Sequence, residues 1–262
     1  MPSNIKLEPV KQNATAAEVA GNQIACGRVR VACSLCNLRE LCVPGGISPA
    51  DLSRLDKLVS SRRKVKRGES LFRVGDEFKS LYAVSVGFFK SRISGGECCD
   101  QITGFQLPGE LLGLDGLATE HHTVDAIALQ DSEVCVLPYA ELERIARDFQ
   151  PLQHQLHRVM SREIVREHGV MLLLGSMRAE ERVAAFLLNL SERYKSLGYS
   201  PTEFVLRMTR EEIGSYLGLK LETVSRAFSH FSEKGLITAQ GKHIQLKNLA
   251  CLRKVVDDAT SC

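Results

Sequence analysis

Apolar and polar positions follow three different rhythms along this chain, and each rhythm predicts a different kind of element. The first 32 residues lack a strong period and read as a loose arm. In SPADLSRLDKLVSS, Ser48 caps, Pro49 suits the first helical position, and Leu52, Leu55, Leu58 and Val59 mark one apolar face of a short amphipathic helix. From Lys64 to about Leu137 the rhythm shortens to apolar runs separated by glycines: SLFRVGD, SLYAVSVGFFKSRISGG, QITGFQLPGELLGL and AIALQDSEVCVLP. Val84, Val86 and Phe88 alternate with Ala83, Ser85 and Gly87, the period of a strand, and turns fall every eight to twelve residues. A small antiparallel β-barrel or roll is expected.

After Pro138 the pattern turns helical for roughly forty residues. Met160, Ile164, Glu167, Met171 and Leu174 are spaced 4, 3, 4, 3, which is a heptad seam. Such a seam serves either a dimeric coiled coil or a helix packed on its own barrel. Glu167 complicates the second option, because a carboxylate in an apolar seam is costly to bury unless paired or protonated.

ERVAAFLLNLSERY opens the last segment as another amphipathic helix, and MTREEIGSYLGLKLETVSRAFSHFSEKGLI follows. Thr209 and Glu212 have the spacing of a capping box. Ile213 and Leu217 lie one turn apart, Gly218 makes a turn, and a second helix runs from near Leu221 to Gly235, the lengths of a helix-turn-helix. LITAQGKHIQL alternates around Gly241 and predicts a hairpin wing. On the second helix Val224, Phe228 and Phe231 must face the domain, which leaves Glu222, Ser225 and Arg226 outward near its N-terminus. Arg can bond guanine O6 and N7 bidentately, Glu can accept from cytosine N4, and Ser serves several base edges. Recognition helices meet bases in their first turns.

Composition narrows the class. A chain of 262 residues with 44% hydrophobic and 25% charged content is a soluble globular profile with room for two domains. The first thirty residues hold no apolar run of signal-peptide length, and no window reaches the about 18 to 20 apolar residues that span a bilayer. The expected location is the cytoplasm, with no membrane partner. The net charge of +3 conceals an asymmetry: Arg178 to Lys254 carry 13 Lys and Arg against 8 Asp and Glu, whereas residues 1 to 177 balance. That excess is a mild signal for a polyanionic partner.

Three of the nine cysteines fall within ten residues, CSLCNLRELC from Cys33 to Cys42. In a long chain of a reducing compartment, metal binding is the leading reading over a disulfide knot. An enzyme is disfavoured: there is no Walker loop, GxSxG or HExxH, and C-x2-C is not set in a thioredoxin-like βαβ pattern.

The order of cysteine-rich arm, β-roll, long helix and winged helix-turn-helix resembles the CRP/FNR superfamily of bacterial transcription regulators. CSLCNLRELC, Cys135 in SEVCVLP, and ETVSR in the recognition helix resemble its oxygen-sensing FNR branch. The resemblance implies an α+β fold divided into a cysteine-rich arm (1–47), a β-roll sensor (48–140), a dimerisation helix region (141–177) and a winged helix-turn-helix (178–262). It implies a [4Fe-4S] cluster on Cys33, Cys36, Cys42 and Cys135, although C-x2-C-x5-C differs from ferredoxin spacings. Zinc is the structural rival, since four thiolates also satisfy tetrahedral zinc. It further implies a homodimer along Met160, Ile164, Glu167, Met171 and Leu174, whose formation the cluster favours and oxygen reverses.

For DNA, the resemblance implies contacts from Lys220, Glu222, Thr223, Ser225 and Arg226 to an inverted repeat TTGAT, four spacer bases, ATCAA, and an RNA polymerase partner. The loop SGGECC, Ser94 to Cys99, stands where relatives touch polymerase but departs from their sequence. Cyclic-nucleotide control is the alternative of the same superfamily. Gly109, Glu110 and Leu111 match that branch, but His122, Thr123 and Asp125 follow without its arginine, and an aspartate would repel a phosphate.

Overall fold

The computed structural model describes residue 59 and residues 61–95 and 100–257. The helix expected from Ser48 and the cysteines Cys33, Cys36, Cys42, Cys98 and Cys99 lie outside the described residues, as does most of the loop from Ser94. The fold is α+β, as expected.

Eight short strands form the roll: β1 (Ser61–Val65), β2 (Ser70–Phe72), β3 (Ser80–Val86), β4 (Phe89–Ser94), β5 (Asp100–Gln106), β6 (Leu111–Leu112), β7 (Asp125–Ala128) and β8 (Ser132–Pro138). They make two four-stranded antiparallel sheets, ordered β1-β8-β3-β6 and β2-β7-β4-β5. Inward residues of both, including Val65, Phe72, Val84, Phe89 and Val134, share one core, which is how two half-apolar sheets hide their faces from water. The expected alternation through Val84, Val86 and Phe88 fails at its centre. The β3–β8 register shifts between Val84 and Val86, and Val86 is left 55% exposed. A strand irregularity of this kind re-aims the side chains beyond it. Gly87 follows at φ 98°, with space for no side chain: a Cβ there would lie 2.0 Å from Ser132 Oγ.

Two helices leave the roll. The first, α1 (Tyr139–Asp148), packs Leu142 and Ala146 on Leu81 of β3. The second, α2 (Gln150–Ser176), is 27 residues long and begins again after Phe149 with Pro151 in its first turn, where a missing N–H costs nothing. Only two residues, Met177 and Arg178, separate α2 from α3 (Ala179–Ser196).

The reading unit follows: β9 (Glu203–Val205), α4 (Arg210–Leu217), α5 (Leu221–Glu233), β10 (Ile237–Gln240), β11 (His243–Leu246) and α6 (Leu249–Asp257). The hairpin expected around Gly241 forms, and β9 pairs on β11 to complete a three-stranded wing sheet. One apolar cluster runs from Phe88, Ile102, Phe105 and Leu107 of the roll into Leu187, Leu190, Ile213, Leu217 and Phe228. Among the described residues no helix is long and apolar enough to cross a membrane.

Packing is also tight where α4 meets the turn. A Cβ on Gly214 would stand 2.5 Å from the Leu219 carbonyl oxygen, and that backbone is already held by the Leu219 N–H donating to Gly214 O at 2.8 Å. Gly214→Ala is therefore expected to destabilise the protein by about 1–3 kcal/mol, the usual cost of overpacking. Thermal unfolding checks this, and an unchanged melting temperature would show that the turn yields freely.

Candidate nucleic-acid interface

The local chemistry that starts and stops α4 also aims α5. Thr209 Oγ1 accepts from Glu212 N at 3.1 Å, and Glu212 Oε2 accepts from Thr209 N at 2.6 Å, the reciprocal capping box expected from the sequence. Gly218 ends α4 at φ 63°, in the left-handed region that glycine enters without strain. Ile213 and Leu217 are fully buried on the inner side. Across the turn, Val224, Ala227, Phe228 and Phe231 bury the inner stripe of α5.

What remains outside on α5 is the candidate reading face. Glu222, Ser225 and Arg226 are exposed, Thr223 is half-buried, and Lys220 is exposed at the N-cap position. No element of the chain is seated on them among the described residues, so a groove of DNA can approach.

Sequence patterns gave no hint of Arg210. Its guanidinium carbon lies 3.2 Å from the centroid of the Phe228 ring, stacked on the recognition helix itself. Burial pushes its pKa down to about 10, and its Nη1 has no hydrogen-bond partner among the described residues. Its place as the first residue of α4 was the only available signal.

The seam of α2 is resolved by exposure. Ile164, Met171 and Leu174 are 52%, 69% and 36% exposed, Met160 is half-buried, and Glu167 is exposed. The helix instead lays Leu152 and Leu173 inward, with Arg166 and Val170 half-buried. Among the described residues the seam therefore faces largely away from the roll, with Met160 half-buried.

Among the expected thiol ligands, Cys135 alone is described. It is half-buried on β8, with Arg62 of β1 and Ala83 of β3 as its cross-strand partners. Val134 beside it points into the roll core, so Cys135 faces the opposite, outer side of the sheet. Arg62 also pairs with Glu133 at 2.7 Å. An outward thiol with a guanidinium on the paired strand suits ligation as thiolate. Among the described residues no group of three His, Cys, Asp or Glu is placed to hold a metal ion.

The stretch that would meet a cyclic phosphate is already occupied. Asp125 accepts from Arg92 Nη2 at 2.6 Å and from Val74 N at 2.9 Å. Burial would raise its pKa, but the Arg92 hydrogen bond and the Val74 N–H hold the carboxyl below the ordinary range. His122 is buried, stacked 3.6 Å from the Phe72 ring, with Nδ1 3.4 Å from Asp115.

Comparison with known proteins fits this geometry. Residues 62–149 match a cyclic nucleotide-binding domain model, and residues 181–255 match a Crp-like helix-turn-helix domain model. The transcriptional regulatory protein Btr of Bordetella pertussis is 48% identical over 86% of this chain and 93% of its own length. The chain belongs to the CRP/FNR superfamily. The fumarate and nitrate reduction regulatory protein of Escherichia coli is 40% identical over 86% of this chain and 90% of its own. Among solved structures, FixK2 of Bradyrhizobium japonicum superposes with a TM-score of 0.69 at 31% identity, over 74% of this chain and 96% of that one. The Bordetella and Escherichia relatives are regulatory proteins, not enzymes, and a DNA-binding transcription regulator is the class to which the chain belongs.

Proposed function

We propose that the protein is an oxygen-responsive transcription regulator of the cytoplasm, acting as a homodimer on promoters under the control of a [4Fe-4S] cluster. The observation that carries this reading is the outward thiol of Cys135, far along the chain from Cys33, Cys36 and Cys42, in a molecule whose reading helix is open. These four residues would hold the cluster, and when bound it supplies reactivity toward oxygen. The chain's own part is mechanical: a remote fourth ligand ties the arm to β8, so binding docks a segment that has little core of its own. The arm (1–47), roll (48–140), dimer helix region (141–177) and winged unit (178–262) then divide sensing, association and reading.

The exposed residues Ile164, Met171 and Leu174, with half-buried Met160, support association through α2, with Glu167 at the centre of the strip. Each α5 reads one half of TTGAT-N4-ATCAA through Lys220, Glu222, Thr223, Ser225 and Arg226, so two must act together. RNA polymerase is the partner at the promoter. Cyclic-nucleotide control has the domain-model match in its favour, but Arg92 is already paired with Asp125, whose carboxylate would repel a phosphate at that stretch.

Anaerobically isolated protein is expected to hold about four iron and four sulfide per chain and to lose its broad visible absorption in air. Ala at Cys33, Cys36, Cys42 or Cys135 abolishes the cluster, whereas Cys98→Ala and Cys262→Ala leave it intact. Stoichiometric zinc without sulfide would replace the sensing role with a structural one.

Glu167→Ala removes two like charges from the seam and is expected to increase the dimer and DNA binding in air, by a few kcal/mol at most, or roughly 1–3. Sedimentation equilibrium of aerobic protein measures it. An unchanged monomer fraction would place Glu167 outside the interface.

Arg226→Ala is expected to cost about 1–3 kcal/mol on the proper half-site and to relax discrimination at one base. Lys220→Ala weakens all sequences alike and lowers the salt slope by about one. Binding to single-base operator variants at two salt concentrations separates the roles. Uniform weakening by Arg226→Ala would make that residue a backbone clamp.

A further inference from the structure

Three parts of the molecule converge on one carboxylate. Glu110, in the loop between β5 and β6, receives Arg193 Nε at 3.0 Å and Arg193 Nη2 at 2.7 Å, a two-pronged pair between roll and α3. Arg166 of the long helix approaches the same carboxylate at 3.3 Å, and the Leu107 N–H donates to it at 2.9 Å. Arg193 also donates to Phe105 O, and Arg166 to Glu163. All three side chains are largely withdrawn from water. Burial pushes the carboxyl up, yet the two guanidinium groups and the Leu107 N–H hold it below the ordinary range. The cluster borders a cleft of about 660 Å³ between the roll loop, α2 and α3.

A second, independent set of contacts joins the roll to the reading unit. Lys90 Nζ donates to Glu212 Oε1 at 2.7 Å. Ser215 Oγ accepts from Ile102 N at 3.0 Å and donates to Asp100 O at 3.3 Å, and Gln101 donates to Ser215 O. Glu212 is the same residue that caps α4, so the roll grips the helix that positions α5.

The geometry points to Glu110 as a positioning residue for DNA reading: with Arg193 and Arg166 it fixes the angle of each recognition helix to the dimer helix, and so sets the half-site spacing the protein accepts. The inference rests on the DNA-reading homodimer proposed above. A dimer must place two α5 helices on two half-sites at once, and a rigid mount makes the second contact almost unimolecular for one spacing only. One inserted base pair turns one half-site against the other by about 35°. A mount held by a fork and a point charge resists that rotation, whereas a loosened mount follows it at an entropic cost. The outer face of α5 stays exposed while the bridge is made, so the bridge does not bury the reading face.

The test measures anaerobically isolated full-length wild type, Glu110→Gln and Arg193→Lys on inverted repeats whose spacer changes one base pair at a time, and on a single half-site. Expected for both variants is an about tenfold loss on the preferred spacing, a spacing preference flattened by about the same factor, and an unchanged half-site affinity, within the ordinary range of coupling between sites. Arg193→Lys keeps the charge and loses the fork and the donation to Phe105 O, so it guards against a Glu110→Gln protein that fails to fold, and thermal unfolding reports which case holds. A variant whose spacing profile runs parallel to wild type, at any absolute affinity, overturns the inference and leaves the DNA-reading function standing. Tighter binding with undiminished spacing preference would make the bridge a restraint and overturns it too. Wild type with no sequence-dependent binding at all overturns both.

Discussion

Everything else in this molecule depends on a core that does not stop at a domain edge. Phe88, Ile102, Phe105 and Leu107 come from the roll, Leu187 and Leu190 from α3, and Ile213, Leu217 and Phe228 from the helix-turn-helix, and all are buried in one cluster. Close-packed interiors have discrete arrangements and do not deform continuously. A shift of α2 or of the roll must therefore either be transmitted to α5 or break apolar contacts of the order of about 1.5–3 kcal/mol per fully buried side chain. The ion pairs Lys90–Glu212 and Glu110–Arg193 lie along the margin of this cluster. Their charges are largely withdrawn from water, so each partner makes the other's burial tolerable and neither is indifferent to orientation.

The α2 seam works by the opposite logic, since its apolar residues face outward. In the proposed dimer, Ile164, Met171 and Leu174 from both copies, about half-exposed on average in one chain, contribute roughly 5–9 kcal/mol of burial at about 1.5–3 kcal/mol per fully exposed side chain. Lost translational and rotational freedom opposes association by about 4–15 kcal/mol. Two Glu167 carboxylates brought to within about 4 Å add a further repulsion of up to about 4 kcal/mol at an effective dielectric of about 20. The favourable and unfavourable terms are of the same order. An association balanced in this way answers to small inputs, which is what a controlled dimer requires.

How much of this was legible depended on the distance along the chain over which each feature is decided. The capping box of Thr209 and Glu212, the Gly218 turn and the Val224, Phe228, Phe231 stripe are decided within four to seven residues, and the structure has them as the pattern predicts. Val86 was misread because a register shift depends on the partner strand, which periodicity along one strand does not contain. The seam was visible as apolar spacing, but whether it faced its own chain or another depended on α2 placing Leu173 and Arg166 inward. Lys90–Glu212 and Arg193–Glu110 join residues 122 and 83 positions apart, with nothing local to announce them. Cys33, Cys36 and Cys42 were conspicuous by spacing alone and lie outside the described residues, so their assignment still rests on resemblance.

The short passage from α2 to α3 shows how a helix end becomes a coupling element. Arg182, on α3, donates to Leu174 O at 2.8 Å and Met177 O at 2.9 Å, and to Leu217 O at 3.0 Å. The first two lie at and just beyond the C-terminal end of the long helix, and the third ends α4. Terminal carbonyls carry the negative pole of each helix and lack intrahelical partners, so one guanidinium satisfies three acceptors and both poles together. Leu174 is also the last residue of the exposed seam, and its side chain lies 3.4 Å from where a Cβ on Gly218 would stand. The end of the association surface and the turn of the reading motif are thus neighbours. A partner helix that pressed on Leu174 would act on the Gly218 turn, and through it on the start of α5, across a path of two contacts.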